Sequence, residues 1–149
     1  ATREKARENR HKQALAARDG LREIFNNERC RAALQMLDWS GRLYRDGQLE
    51  HGIDRAELGP ALRTHNLQFS LKERFIRDCF ESLFDQIELL EHDISIELIH
   101  ADDASVPLAY YAIKISQERH DFEPFLDAYG YAGAKRFLLR ASRPPADCR

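Results

Sequence analysis

Residues 70–98 read SLKERFIRDCFESLFDQIELLEHDISIEL, and this stretch decides the fold. Phe75/Ile76, Cys79/Phe80, Leu83/Phe84, Ile87, Leu90, Ile94 and Leu98 recur in steps of three and four. That period puts apolar side chains on one helical face. Ser70 and Glu73 stand at its front with the spacing of a capping box, in which the Ser hydroxyl accepts from the Glu N–H and the Glu carboxylate returns to the Ser N–H. The pattern predicts one helix over about 71–100, roughly 40 Å long at 1.5 Å per residue. A rod with so broad an apolar face must be covered by others. The predicted class is therefore all-α, a helical bundle around one long central helix.

Working outward, residues 2–18 predict a polar, basic helix with a thin stripe of Ala6, Ala14 and Leu15, and Asp19-Gly20 marks a weak break. Leu21, Ile24, Phe25, Cys30, Ala33, Leu34 and Leu37 continue at helical spacing, with Asn27 placed to cap a second helix. Residues 41–53, with Gly41, Asp46-Gly47 and Gly52, read as a loop. Asp54 suits the cap of a helix from Arg55 that Gly59-Pro60 kinks or restarts and that ends near Asn66. Ala101-Asp102-Asp103 reads as a turn, with Pro107 in the first turn of the next helix. Asp121 can cap a further helix that Gly130 stops, and residues 131–140 form the last one. The predicted organisation is a basic arm at 1–20, a helical bundle domain at 21–142 and a disordered tail at 143–149.

Composition bounds the function. Over 149 residues, 43% are hydrophobic and 32% charged, which excludes a membrane bundle and a fully disordered chain. The three cysteines are too few and too scattered for a disulfide framework or a zinc pair, so reduced thiols in the cytoplasm are expected. Cys79 falls on the apolar face, and Cys148 falls in the tail, where it is expected to be exposed. The net charge of −2 gives no reason to expect a nucleic-acid partner. The charge is segregated, however. Basic residues predominate in 1–31, led by Arg3, Lys5, Arg7, Arg10 and Lys12, whereas Cys79 to Ile113 holds eight acids and no Lys or Arg. Such ends and centre either pair within the fold, stay solvated, or present an acidic face to a basic partner and a basic arm to an anionic membrane.

Five constellations are candidates for function. Asp46, Gln48, Glu50, Asp54 and Glu57 fall at EF-hand-like positions, which would offer oxygen ligands to calcium. His51 occupies the place that needs Gly for the sharp turn, so the loop is degenerate. Glu-x-x-His occurs at Glu8/His11 and Glu97/His100, a di-iron spacing that requires inward-facing helices. Arg45 and His51 match the loose Arg-x-x-x-x-x-His spacing of helical HEPN-type ribonucleases, where such a pair stabilises phosphate charge and moves a proton. Glu81, Asp85, Glu88 and His92 step along one stripe opposite the apolar seam, a solvated face or a partner surface. Trp39 and Tyr44, beside Arg42 and Arg45, offer an aromatic–basic anchor, although a Trp in this setting also suits the edge of a core. The partner-binding candidates are Glu81, Asp85, Glu88, Trp39 and Arg42. No phosphate loop, nucleophile elbow or zinc pattern is present, and no catalytic residue or cofactor is assigned.

Three stretches carry a resemblance: Ala33-Leu34-Gln35-Met36-Leu37-Asp38-Trp39, Ile76-Arg77-Asp78-Cys79-Phe80-Glu81-Ser82-Leu83-Phe84-Asp85, and Tyr129-Gly130-Tyr131-Ala132-Gly133. Together they make the chain from residue 28 onward similar to an uncharacterised group of bacterial helical domains that often follow an N-terminal membrane helix. The resemblance implies bacterial origin, a cytoplasmic domain and a basic first helix close to a membrane. That fits the positive bias of cytoplasmic segments beside a span. The expected function is a non-enzymatic interaction or regulatory domain that self-associates or binds a protein partner. The alternatives are a metal-binding domain or a HEPN-like ribonuclease.

Overall fold

The computed structural model describes residues 2–144. It is mainly all-α, with seven helices and one small two-stranded sheet among these residues. The helices are α1 (Thr2–Asn26), α2 (Glu28–Asp38), α3 (Leu58–Ala61, entered through a 3₁₀ turn, Arg55–Glu57), α4 (Leu71–Ser95), α5 (Ala101–Gln117), α6 (Arg119–Ala128) and α7 (Ala132–Ala141). Strands β1 (Arg42–Asp46) and β2 (Leu49–Ile53) pair antiparallel between α2 and α3. Cys148 and most of the expected tail lie outside the described residues.

The central rod is α4. Phe75, Ile76, Cys79, Phe80, Leu83, Phe84, Ile87 and Leu90 are all buried on it, and the Ser70/Glu73 capping box is formed in both directions. Phe80 and Phe84 meet Phe122 of α6 at 5.2 and 6.2 Å between ring centroids, and Phe84 also meets Phe125 at 6.1 Å. The rod is shorter than expected, ending at Ser95 rather than near residue 100. The Leu98 N–H donates to the Asp93 carbonyl and the Glu97 N–H to that of Ile94, with Glu97 at φ +62°, the geometry of a Schellman stop. Leu98 is consequently exposed, and Ile99 takes the buried place. The same motif ends α6 with Gly130 at φ +73°, as Gly130 predicted.

Three local expectations are corrected. Asp19-Gly20 does not break the first helix, which runs through to Asn26; the Leu90 side chain occupies the space where a Cβ on Gly20 would sit, at 2.6 Å. Residues 2–12 are exposed, and burial begins at Ala17. Asn27 does cap α2, accepting from the Cys30 N–H at 3.0 Å. The segment from Arg55 ends at Ala61, not Asn66. Ala101-Asp102-Asp103 is the first turn of α5, capped by His100, and Pro107 lies one turn further in.

Two arginines hold the connection between α3 and α4. Arg63 donates to the carbonyls of Pro60, Asn66 and Gln68 and pairs with Glu73. Arg77, 7% exposed, donates to the carbonyls of Ala61 at 2.9 Å and Arg63 at 3.0 Å and to the Tyr129 hydroxyl. Its guanidinium lies 4.0 Å from the Phe69 ring centroid and 5.2 Å from that of Phe125. Ring faces and carbonyl dipoles thus balance a buried cation that has no carboxylate partner among the described residues.

The segment 41–53 is a hairpin, not a loop. Asp46↔Leu49 closes it around Gly47-Gln48, with Gly47 at φ +62°. Gly at the first central position is what a type II′ turn requires, and its twist matches that of the strands. Tyr44, His51 and Ile53 alternate onto the inner face and are buried.

Candidate binding cleft between α2 and the hairpin

A cleft of about 490 Å³ opens between α2 and β1. From α2 come Glu28, Arg31, Ala32 and Gln35, which share one helix face, and Arg29 at the border of that face. Every residue from Arg42 to Gly47 lines the other wall, Phe75 of α4 lies at the base, and β2 contributes nothing. The cleft therefore runs along the outer edge of β1. Four arginines line it, Arg29, Arg31, Arg42 and Arg45, against two acidic residues, Glu28 and Asp46.

These cations are largely uncommitted. Arg29 and Arg31 have no ion pair or side-chain hydrogen bond among the described residues. Arg45 only approaches Glu50, at 3.8 Å with both side chains exposed. Arg42 lies over the Trp39 ring, 5.7 Å from its centroid. Trp39 itself is 56% exposed, so it lies on the surface rather than at a core edge.

Under the cleft, Tyr44 is 4% exposed and its hydroxyl has no hydrogen-bond partner. Its expected place in an exposed anchor is thereby corrected: the ring packs on Phe75, 6.4 Å between centroids. Burial pushes its phenol pKa up, so the group stays a neutral donor. His51, directly across the ladder, packs on the same Phe75 at 5.3 Å, and its Nε2 is also unpartnered, 3.9 Å from an Asp46 oxygen.

The register decides what β1 offers. A two-residue hairpin loop is closed by a hydrogen-bonded pair, so Asp46↔Leu49, Tyr44↔His51 and Arg42↔Ile53 exchange bonds. The backbone N–H and C=O of Leu43 and Arg45 then point away from β2, toward the open edge.

The other sequence candidates are dispersed or already engaged. The EF-hand-like set does not converge: Asp46 and Glu50 sit on the hairpin, while Asp54 and Glu57 close a capping box and Glu57 takes Lys72 at 2.9 Å. Those two bonds depress the Glu57 pKa, Lys72 contributing more. Gln48 is a turn residue. Arg45 and His51 lie on opposite faces of the hairpin, so they cannot address one phosphate together. Glu8/His11 and Glu97/His100 are all exposed, which no di-iron site tolerates.

On α4, Asp85 accepts from the Tyr131 hydroxyl at 2.8 Å, and Glu88 accepts from the Ala134 N–H at 2.7 Å. Two of the three acidic partner candidates thus brace α7. Glu81 has no such partner; burial, then Asp78 and Asp85, raise its carboxyl pKa. The thiols of Cys30 and Cys79 are pushed by burial to about 11 and about 12, so neither is a nucleophile near neutrality.

The sequence reading missed the Glu118–His120–Asp121 group in the first turn of α6 and the preceding residue, where His120 Nε2 lies 3.5 Å from Asp121 and 3.8 Å from Glu118. It also missed Arg29 and Arg31 as cleft residues. The available signal was the Gly47-Gln48 turn, which makes a hairpin and brings Arg42 and Arg45 back against α2.

No match emerges when the chain is compared with protein-family models, curated proteins or solved structures.

Proposed function

We propose that this chain is a non-enzymatic helical interaction domain that engages an acidic segment of a protein partner through the α2–β1 cleft. The observation that carries this reading is the set of four loosely committed arginines lining one cleft, with the exposed Trp39 next to one of them, Arg42. Arginine and tryptophan are the residues on which binding energy concentrates at interfaces, and guanidinium forks match carboxylates in geometry as well as charge. The ribonuclease alternative loses support from the opposed faces of Arg45 and His51, and the calcium alternative from the hairpin.

The test is fluorescence anisotropy with a labelled Glu-rich peptide, at low and high salt. Binding is expected to weaken with salt and to fall at least tenfold in Arg29→Glu/Arg31→Glu. Absence of binding at low salt refutes the reading. Light scattering over a range of concentrations separates binding to a second copy from binding to another protein.

The resemblance to bacterial domains that follow a membrane helix supports a cytoplasmic setting close to a membrane. The fully exposed, Arg- and Lys-rich first turns of α1 suit an anionic surface. No helix among the described residues is long and apolar enough to cross a membrane. Co-sedimentation with anionic vesicles, lost when Arg3, Lys5 and Arg7 are replaced by Gln, tests this part separately.

A further inference from the structure

We propose that the partner segment binds extended, adding to the free edge of β1 as a third antiparallel or parallel strand, with acidic side chains at alternate positions. This deepens the acidic-partner reading and rests on it.

Three observations converge. First, the cleft is lined by every residue of β1 and by none of β2, so its long axis follows the strand's open edge. Second, the register leaves the N–H and C=O of both Leu43 and Arg45 facing that edge. An unpaired strand edge is a template for another strand, and proteins that do not use it cover or blunt it. Here no element covers it: α2 stands off across the cleft, and no backbone hydrogen bond from another element reaches Arg42–Gly47 among the described residues. Third, the charge around the edge selects the guest. A strand's side chains alternate between two faces. Arg29 and Arg31 on α2 and Arg42 and Arg45 on β1 provide cations around an added strand, and Glu28 and Asp46 are the two acids there that would repel an ill-placed carboxylate. Main-chain bonds at the edge would give affinity, and alternate acidic side chains specificity, which is the division of labour in strand addition generally. The five residues of β1 offer about 17 Å of edge, enough for a guest of four to six residues.

The test uses the full chain and a synthetic peptide alternating Glu with Val or Thr, against a peptide of equal charge in which alternate positions are Pro. Amide hydrogen exchange is followed by NMR. The Glu/Val/Thr peptide is expected to bind at least tenfold more tightly than its Pro counterpart and to slow exchange of the Leu43 and Arg45 amides at least tenfold. Leu43→Pro removes one outward N–H, a substitution that an edge strand accepts, and is expected to weaken the peptide about tenfold while the Tyr44–His51 cross-strand contact persists.

Equal binding of both peptides, with the two amides unprotected in the wild-type chain, overturns strand addition and leaves the acidic-partner reading standing. Failure of both peptides to bind removes both readings. Tighter binding of a single-stranded oligonucleotide or an anionic vesicle at the same arginines also overturns the proposal. The exchange measurement needs no variant, so a misfolded Leu43→Pro would not shield it.

Discussion

Replacing Arg77 by Met tests whether the buried guanidinium holds the α3–α4 connection. Met keeps an apolar stem among Phe69, Phe125 and Tyr129 and removes the cation. Two charge-assisted bonds are lost, to the carbonyls of Ala61 at 2.9 Å and Arg63 at 3.0 Å. At the low end of their range, such bonds contribute about 1.5 kcal/mol each. The ring contact at 4.0 Å with Phe69 adds about 1 kcal/mol. Relief from burying a cation offsets part of this, so a net loss of about 3 kcal/mol is expected. In a chain of 149 residues that lowers Tm by roughly 6–12 °C.

The assay is urea unfolding followed by far-UV circular dichroism, with a thermal melt beside it. Arg77→Lys is expected to recover less than half of the loss, because an ammonium that donates to the two carbonyls, as Nη1 does, cannot also reach the Tyr129 hydroxyl and lie flat on the Phe69 ring. A loss under 1 kcal/mol in Arg77→Met, or full rescue by Lys, would refute the reasoning.

Glu97 adopts φ +62°, where a side chain is strained, so Glu97→Gly should stabilise by about 0.5–1 kcal/mol in the same urea assay. Glu73 is depressed by the Ser70 N–H and then by Arg63, Glu57 by Lys72, and Asp103 by Arg10. Their stability contribution is complete above the ordinary carboxylate range and disappears as pH falls through the lowered values. Tm is therefore expected to drop most steeply on the acid side of pH 4 and less so in Glu73→Gln. Glu81 has the opposite sign. Its raised value disfavours the folded state when ionised, and the penalty lifts as pH falls through that value. Glu81→Gln should raise stability by about 0.5 kcal/mol at pH 7, with the two proteins converging in mild acid.

The helices were legible because each carries its own signal. The seam of α4 repeats over about five turns, Ser70 and Glu73 announce its start, and Asn27 and Gly130 punctuate the chain by simple stereochemistry. Its end was not legible: Ile96 and Leu98 continue the apolar count, and nothing in a Glu advertises a left-handed residue. The hairpin escaped because only Tyr44, His51 and Ile53 face inward, too few to overcome the polar composition around them. The cleft was the least legible feature. Arg29 and Arg31 precede Arg42 and Arg45 by a helix and a turn, and only the Gly47-Gln48 reversal brings β1 alongside α2. The acidic stripe was legible as a stripe, but that Asp85 and Glu88 serve α7 depends on a helix 46 residues downstream.

That dependence shapes how the molecule is assembled. No side chain of the Tyr131 region caps α7; the Ala134 N–H finds its acceptor on Glu88, and Gly133 leaves the room, since a Cβ there would lie 2.6 Å from the Glu88 carboxylate. Residues 131–142, cut loose, lack the local instruction to begin coiling. Their acceptor lies on the α4 surface, so the last helix is expected to form only against that rod, and its loss would leave α4 with a bare carboxylate where a neighbour's first turn belongs.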